Sequence, residues 1–298
     1  MISRLARHAF VHYFLLFLGI LCIAWSAIFV KLAGISGLGS AFYRMFIGFL
    51  GVIPFWMYYR KPIKEWKGVK VALICGFFFA CDIALWNTSI MLSKAAVSTL
   101  LANLAPVWVG VGAVFFMKEK PKPIFWAGTF VALVGVSIIV GFDNIIYSHL
   151  SLGNMLAILA SMFYGAYLLT ARHGRSSLDT ISFTAISMLS SSIVLLAICY
   201  FAHTPLGGFS VHSWFALGAL GLISQLCGWL AINYSLAYIK PTTASVSLLS
   251  QSVFTAIFSV PVLGEFLSWY EAAGAVVVLA GIYMVNRKKR INRASGDK

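Results

Sequence analysis

The chain has 298 residues, of which 61% are hydrophobic and only 10% are charged. A soluble domain carries about 25% charged residues, so a chain this apolar must be covered in part by lipid. The net charge of +14 arises from cations in short segments between apolar runs, not from a basic patch among aromatics. This placement is typical of a topology signal and argues against nucleic-acid binding.

Ten apolar runs are each long enough to cross a bilayer, which takes about 20 residues. Glycine, proline and charged residues separate them, for example at Lys240-Pro241. The first run follows a basic N-terminus, as in a signal peptide, but it is too long for one and lacks a cleavage site. The predicted spans, numbered 1 to 10, are 11–33, 39–58, 69–92, 95–117, 123–141, 152–171, 179–202, 212–237, 242–263 and 268–286.

The lysines and arginines predict the orientation of these spans. With a cytoplasmic N-terminus and alternating sides, 19 cations fall inside and one, Lys94, falls outside. Cytoplasmic loops carry the excess of lysine and arginine in membrane proteins. We therefore expect a multi-pass membrane protein with both termini in the cytoplasm.

Several polar and glycine positions recur when the chain is shifted by 146 residues, without a gap, from span 3 to span 5. The shift predicts two five-span repeats, 1–150 and 151–290, followed by a basic cytoplasmic tail, 291–298. Because five is odd, the repeats enter the membrane in opposite senses, which is typical of alternating-access transporters. The recurring pairs are Asn87/Asn233, Ser89/Ser235, Lys94/Lys240, Glu119/Glu265, Gly128/Gly274 and Gly135/Gly281.

Asp82 is the only acidic residue well inside a predicted span, about halfway along span 3. A carboxylate at this depth costs several kcal/mol unless it is paired, hydrated or protonated. We expect Asp82 to face a cavity, where it recognises a cationic group of the substrate or couples transport to protons. The alternative is a neutral structural aspartate held by hydrogen bonds.

Other polar and aromatic side chains at helical spacing indicate helix faces that line a cavity, because amides in lipid would be costly. For each amide, a hydrogen bond between helices is the alternative. Four tryptophans lie deeper than an interfacial belt would place them. The predicted substrate-binding residues are Trp25, Phe29, Asp82, Trp86, Asn103, Trp108, Tyr164, Tyr167, Gln225, Trp229, Asn233 and Gln251.

Three further residues, together with Asp82, are predicted to serve charge coupling or gating. Lys31 lies near the outer end of span 1, where its side chain can extend to the interface. Arg44 lies about a turn and a half into span 2 and would meet a substrate carboxylate or Asp82. Pro106 removes a backbone donor and should kink span 4.

The sequence lacks the patterns of the common catalytic and nucleotide-hydrolysing sites. It contains no G-x-x-x-x-G-K-[ST], no HExxH and no GxSxG, and its five cysteines have no metal-ligand spacing. We therefore predict no enzyme activity, no cofactor and no bound metal.

Several stretches of the chain match one known pattern in order. They are Trp25-Ser-Ala-Ile-Phe29, Ala41-Phe-Tyr-Arg44, Leu101-Ala-Asn-Leu-Ala-Pro-Val107, Gly228-Trp-Leu-Ala-Ile-Asn-Tyr234 and Gly264-Glu265. Together they resemble the EamA family of the drug/metabolite transporter superfamily, nearest to YddG-type amino acid exporters. The resemblance implies an all-α membrane fold of two inverted five-helix repeats around a cavity formed by spans 1, 3, 4, 6, 8 and 9. Many members have proline after the glutamine of span 9, whereas Ser252 follows Gln251 here, so a kink in span 9 is not implied.

We predict a secondary active transporter of the bacterial inner (plasma) membrane that works by alternating access and exports amino acids or related amines, aromatic ones favoured. One alternative is uptake of a cationic or nucleotide-like metabolite such as a sulfonium compound, which Asp82 and stacking aromatics would also suit. Another is a passive channel or facilitator. The expected partners are the substrate, the bilayer and protons as coupling ions, and the chain is expected to be a monomer or a homodimer.

Overall fold

The computed structural model describes residues 2–59, 65–92, 95–141, 151–263 and 268–287. Within these ranges the regular structure is entirely helical. Nine of the described helical segments are long and apolar enough to cross a membrane, and a tenth, Leu100–Phe115, is shorter. The ten predicted spans are thus confirmed as helices. Lys94, Glu265 and the predicted tail 291–298 lie outside the described residues.

Four of the spans are interrupted, and the others are single helices. The helices are Ile2–Ala24 and Ser26–Ala33 in span 1, Gly37–Tyr59 in span 2, Trp66–Leu92 in span 3, Ala95–Ala102 and Ala105–Phe115 in span 4, Pro123–Val140 in span 5, Leu152–Ser177 in span 6, Thr180–Phe201 in span 7, Val211–Ala219, the π-helical Leu220–Gly228 and Trp229–Leu236 in span 8, Pro241–Leu248 and Ser250–Leu263 in span 9, and Trp269–Asn286 in span 10.

Several spans begin with a serine or aspartate whose side chain caps the helix. The carboxylate of Asp179 accepts hydrogen bonds from two backbone N–H groups at the start of span 7. Ser268 and Glu271 form a capping box at the start of span 10, in which each side chain accepts from the other's backbone. These caps satisfy donors that have no partner within the helix.

The packing of the spans has the symmetry expected of an inverted repeat. Span 2 packs against span 7, and span 5 against span 10. Span 3 packs along span 6, and span 8 packs along span 1. The repeat relates spans 1–5 to spans 6–10 in order. It therefore maps the 2–7 and 5–10 pairs onto themselves and exchanges the 3–6 pair with the 8–1 pair, as expected of two inverted five-helix repeats.

Spans 5 and 10 cross at the glycines that recur between the repeats. A Cβ at Gly281 would lie 2.6 Å from the carbonyl oxygen of Gly128, and a Cβ at Gly135 would lie 2.8 Å from that of Gly274. Small residues allow helix backbones to approach this closely within a membrane. The 146-residue shift relates Gly128 to Gly274 and Gly135 to Gly281. The contact of Gly281 with Gly128 is therefore equivalent to the contact of Gly135 with Gly274.

Spans 4 and 9 are both interrupted, at positions that the repeat also relates. Span 4 breaks at Asn103 and Leu104, just before Pro106, which lies in the first turn of the following helix and so confirms the predicted effect of this proline. Span 9 breaks at Leu249, the position 146 residues after Asn103, although Ser252 stands where the proline would be.

Serine side chains explain the break in span 9. The hydroxyl of Ser247 donates to the carbonyl oxygen of Thr243 over 2.9 Å, and that of Ser250 donates to the carbonyl oxygen of Ser247 over 2.7 Å. Such bonds compete with the helical backbone and bend helices. The two halves therefore share a helix break at equivalent positions, which proline accompanies in span 4 and serine–carbonyl hydrogen bonds accompany in span 9.

Candidate functional site

A cavity of about 310 Å³ lies between the two repeats. It extends from the middle of the bundle to the end at which spans 1 and 5 finish, where Lys31 and Val140 form part of its wall. The six spans implied by the resemblance all contribute to the wall, and spans 2, 5 and 10 contribute as well. The predicted site residues that line it are Lys31, Arg44, Asp82, Trp86, Asn103, Tyr164, Trp229 and Gln251.

The breaks of spans 4 and 9 meet at this cavity. Asn103 and Ser252 both line it, and the Asn103 amide donates to the Ser252 hydroxyl over 3.3 Å. An interrupted helix leaves backbone groups without helical partners, and such backbone is tolerated at membrane depth only where protein or a cavity surrounds it. The breaks therefore supply polar groups at the centre of an otherwise apolar bundle.

Arg44 is held in the cavity wall by neutral acceptors. Its Nε donates to the Gln225 side-chain oxygen over 2.7 Å, and its Nη1 donates to the Ser26 hydroxyl over 3.0 Å. The guanidinium carbon lies 6.0 Å from the centre of the Phe79 ring, within the range of a cation–π contact. Arg44 is only 9% exposed, so these contacts fix its side chain and leave its positive charge without a bonded counterion among them.

Asp82 lines the same cavity, and the structure records no ion pair within 4.0 Å for it among the described residues. Towards the end of the cavity the wall also includes Lys31 and Glu271. One oxygen of Glu271 is used by the helix cap, since it accepts from the Ser268 hydroxyl over 2.8 Å. Among the described residues, the wall thus includes two basic side chains and two acidic ones.

Aromatic rings form the deep part of the wall. The Trp229 ring stands edge-on to Phe79 and Tyr164, with centroid distances of 4.5 and 6.1 Å. Trp86 also lines the cavity. Among the described residues, the buried indole nitrogens of Trp86 and Trp229 have no hydrogen-bond partner.

Four of the predicted aromatic residues lie outside the cavity lining, and Trp25, Phe29 and Trp108 are three of them. Trp25 stacks on Phe258, with ring centroids 4.8 Å apart, and it also stacks on Phe29. The Trp108 indole donates to the Ser161 hydroxyl over 2.8 Å. These rings pack between helices. The sequence alone does not distinguish this structural role from contact with the substrate.

The other predicted residues away from the lining form buried contacts between helices. The Tyr167 hydroxyl donates to the Asn233 side-chain oxygen over 2.8 Å, and the Asn233 amide donates to Thr184 over 3.2 Å. Gln225 does not line the cavity, but it accepts a hydrogen bond from Arg44, which does. Pro106 also lies outside the lining, in the first turn after the break in span 4.

The predicted stripe of span 8 is divided, and a π-helical segment, Leu220–Gly228, contains its first residue. Residues 225, 229 and 233 share a face of an α-helix, which has 3.6 residues per turn. Gln225 lies in the π-helical segment, whereas Trp229 begins the α-helix that follows it. Such π segments are common at functional sites. No pattern in the sequence predicts this change.

Sequence reasoning missed some residues of the wall. Phe79 lies three residues before Asp82 in span 3, so helical spacing could have identified it. Thr255 lies four residues after Gln251 in span 9 and is marked by the same spacing. Glu271 carries no such signal, because at the start of a helix it is typical of a cap.

Comparison with known proteins decides the family. The EamA-like transporter family matches the chain twice, over residues 11–141 and 151–287. The chain belongs to this family. It is therefore a multi-pass integral membrane transporter of the drug/metabolite type.

Curated relatives and a solved structure agree with this assignment. The chain is 22% identical to "Uncharacterized transporter YdfC" of Bacillus subtilis (strain 168), over 90% of this chain and 87% of that protein. It is 23% identical to an "Uncharacterized transporter" of Archaeoglobus fulgidus, over 88% of this chain and 91% of that protein. A protein of known crystal structure is 17% identical and has the same fold, with a TM-score of 0.79 over 92% of this chain and 96% of that one.

Proposed function

We propose that this EamA transporter carries zwitterionic amino acids by alternating access. The observation that supports this most directly is the presence of Arg44 and Asp82 in one cavity wall, with the arginine bonded to neutral acceptors. Arg44 would take the α-carboxylate and Asp82 the α-ammonium group, each through a charge-assisted hydrogen bond. A substrate with one charge of each sign would therefore meet a partner for each of its charged groups in this wall.

The rings beside these charges favour an aromatic or large apolar side chain on the substrate. Phe79, Tyr164 and Trp229 offer edges and faces to a ring, and aromatic pairs add about 0.5–1.5 kcal/mol beyond the area they bury. With the basic end of the bundle in the cytoplasm, the cavity extends towards the outside. We therefore propose a conformation that faces outwards, in a bacterial inner membrane, and export as the direction of transport.

Ligands that lack one charge test the proposal most directly. We expect an aromatic amino acid to raise the melting temperature of the purified protein, because ligand binding stabilises the native state. The methyl ester, which lacks the carboxylate, and the amine without a carboxyl group should bind at least about 30-fold more weakly, since each leaves a buried charge without its partner. Thermal-shift titration of the three ligands measures this.

The same titration separates the alternatives. If the amine or a sulfonium compound binds as tightly as the amino acid, the cavity recognises cations and the zwitterion proposal is wrong. Saturable counterflow in proteoliposomes is expected for a carrier. Conductance that does not saturate would instead identify a channel.

An ion pair at the opposite end of the bundle supports alternating access. Lys240 Nζ lies 2.9 Å from Glu119 Oε2 and joins the second repeat to the first. The side chains are 60% and 29% exposed, so the pair contributes no more than about 1 kcal/mol. This energy is too small to hold the fold together, but it is sufficient to bias two conformations of similar free energy.

Replacing Glu119 by Gln should therefore shift the conformational equilibrium and leave stability almost unchanged. We expect up to about a fivefold larger population of the conformation that is open at this end. Spin labels at Lys120 and Tyr238, introduced as cysteines after replacement of the native ones, would measure the separation of the two repeats. Lys122→Gln, in the same connection, is the matched control. An unchanged distance distribution in Glu119→Gln would show that the pair has no gating role.

A further inference from the structure

A second cavity lies outside the transport site, on the lipid-facing side of spans 1, 9 and 10. Its volume is about 590 Å³, and we call it the lateral groove. Its wall is mostly apolar and includes Phe10, Phe17, Phe254 and Leu279. Phe10, Phe17 and Leu279 are exposed, so in a membrane this surface meets lipid.

The length of the groove matches one leaflet of a bilayer. In span 1 its wall extends from Phe10 to Ile20, with lining residues spaced as on one helix face. Ten residues of helix rise roughly 15 Å, which is half of the ~30 Å hydrocarbon core. The groove therefore has the reach of a single phospholipid acyl chain that enters from the end of the bundle at which span 10 finishes.

A polar group without a partner marks the interfacial end of the groove. Asn286, the last residue of span 10, lines it and donates through Nδ2 to the carbonyl oxygen of Ile282 over 2.9 Å and to the Ser247 hydroxyl over 3.2 Å. The bond to Ile282 fixes the orientation of the amide, because a carbonyl oxygen can only accept. Asn286 Oδ1 is buried and has no hydrogen-bond partner within the described part of the chain. Such an acceptor costs about 1–3 kcal/mol when it stays without a donor. A small shift of the Asn286 side chain would be needed to expose this oxygen to a donor in the groove.

Charge at this end complements an anionic headgroup. Arg287 follows Asn286 directly and is exposed. In the sequence three more basic residues follow at once, and basic clusters next to a membrane span attract anionic lipids. A headgroup that satisfies both features needs a negative charge for Arg287 and a donor for Asn286 Oδ1.

We propose that the lateral groove is a binding site for a phospholipid with an anionic, hydroxyl-bearing headgroup, of the phosphatidylglycerol class. One acyl chain lies along the aromatic side chains of spans 1 and 9, a headgroup hydroxyl donates to Asn286 Oδ1, and the phosphate faces Arg287. The lipid contacts span 9 on the side of Phe254, while Thr255 faces the transport cavity. It thereby supports the contact between spans 1 and 9, where the Thr255 hydroxyl donates to the Ala24 carbonyl oxygen over 2.7 Å.

Lipids with identical acyl chains and different headgroups test this site. We expect phosphatidylglycerol to raise the melting temperature of the detergent-purified protein by a few degrees more than phosphatidylcholine, which has no donor and no net charge. Leu279→Trp fills the groove and should abolish the advantage of phosphatidylglycerol. Val276→Trp, an exposed position on the same helix that does not line the groove, should keep it. Asn286→Leu should weaken apparent binding at least threefold.

Each variant is its own reference, because the readout is the difference between two lipids and not the absolute melting temperature. Equal effects of phosphatidylglycerol and phosphatidylcholine on the wild-type protein would overturn the proposal. Survival of the difference in Leu279→Trp would do the same. If phosphatidylethanolamine, which has a donor but no net charge, matches phosphatidylglycerol, then the assigned role of the anionic charge is wrong.

Discussion

Asp82→Asn is expected to reduce counterflow of an amino acid in proteoliposomes at least about 30-fold, because the substrate ammonium group loses its buried counterion. The fold should survive this change. Arg44 is already bonded to Gln225 and Ser26, so removal of the Asp82 charge does not deprive the arginine of its bonded partners. A melting temperature close to that of the wild-type protein, together with the loss of transport, is therefore the expected pair of results.

Glu271→Gln is the matched control, since it makes the same change of carboxylate to amide in the same cavity wall. Glutamine can also serve the capping box, so the start of span 10 should be retained. We expect less than about a threefold loss of transport, because Glu271 lies at the end of the cavity, beside helix-capping groups. If Asp82→Asn leaves both substrate binding and the pH dependence of transport intact, then Asp82 serves neither recognition nor proton coupling.

Gly281→Ala is expected to destabilise the protein by about 1–3 kcal/mol, which is typical of an overpacked core. The added Cβ would lie 2.5 Å from the backbone nitrogen of Ala132 and 2.6 Å from the carbonyl oxygen of Gly128. Backbone atoms cannot move aside as a side chain can, so spans 5 and 10 must separate. Thermal denaturation in detergent would measure the loss.

Gly218→Ala provides a control with the opposite sign. Gly218 lies in a helix, and a Cβ there would meet nothing within 4 Å. Replacing a helical glycine by alanine stabilises by about 0.5–1 kcal/mol when no contact opposes it. Equal destabilisation by the two substitutions would show that helix propensity, and not the crossing of spans 5 and 10, determines the effect.

The fold was predictable because its main determinants are local or repeated. Runs of about 20 apolar residues identify helices directly, and glycines recurring at one shift in spans 5 and 10 predicted the relation between the halves. The shift placed Gly135 and Gly281 in equivalent positions, and the structure brings both into one helix crossing. What the pattern did not reveal is the break in span 9, because serine–carbonyl bonds bend a helix without the signal that proline provides.

The candidate site was predictable only in part, because depth and residue type do not determine which neighbour a side chain meets. Asp82, Trp86 and Trp229 lie in the cavity wall as expected. Tyr164 of span 6 also lies in this wall. Tyr167 is another tyrosine of the same span, yet its hydroxyl bonds to Asn233 in the core. The difference arises from the orientation of whole helices relative to one another, which depends on contacts between residues far apart in the chain.

The different causes of the two helix breaks have a consequence for how reversible each break is. Pro106 has no backbone N–H, so span 4 lacks the helical hydrogen bond of this position in every conformation. The interruption of span 9 involves hydroxyl groups that can rotate and release the carbonyl oxygens of Thr243 and Ser247. The break in span 9 can therefore close if these hydroxyl groups rotate, whereas the missing donor in span 4 cannot be restored, although the repeat places the two breaks at equivalent positions.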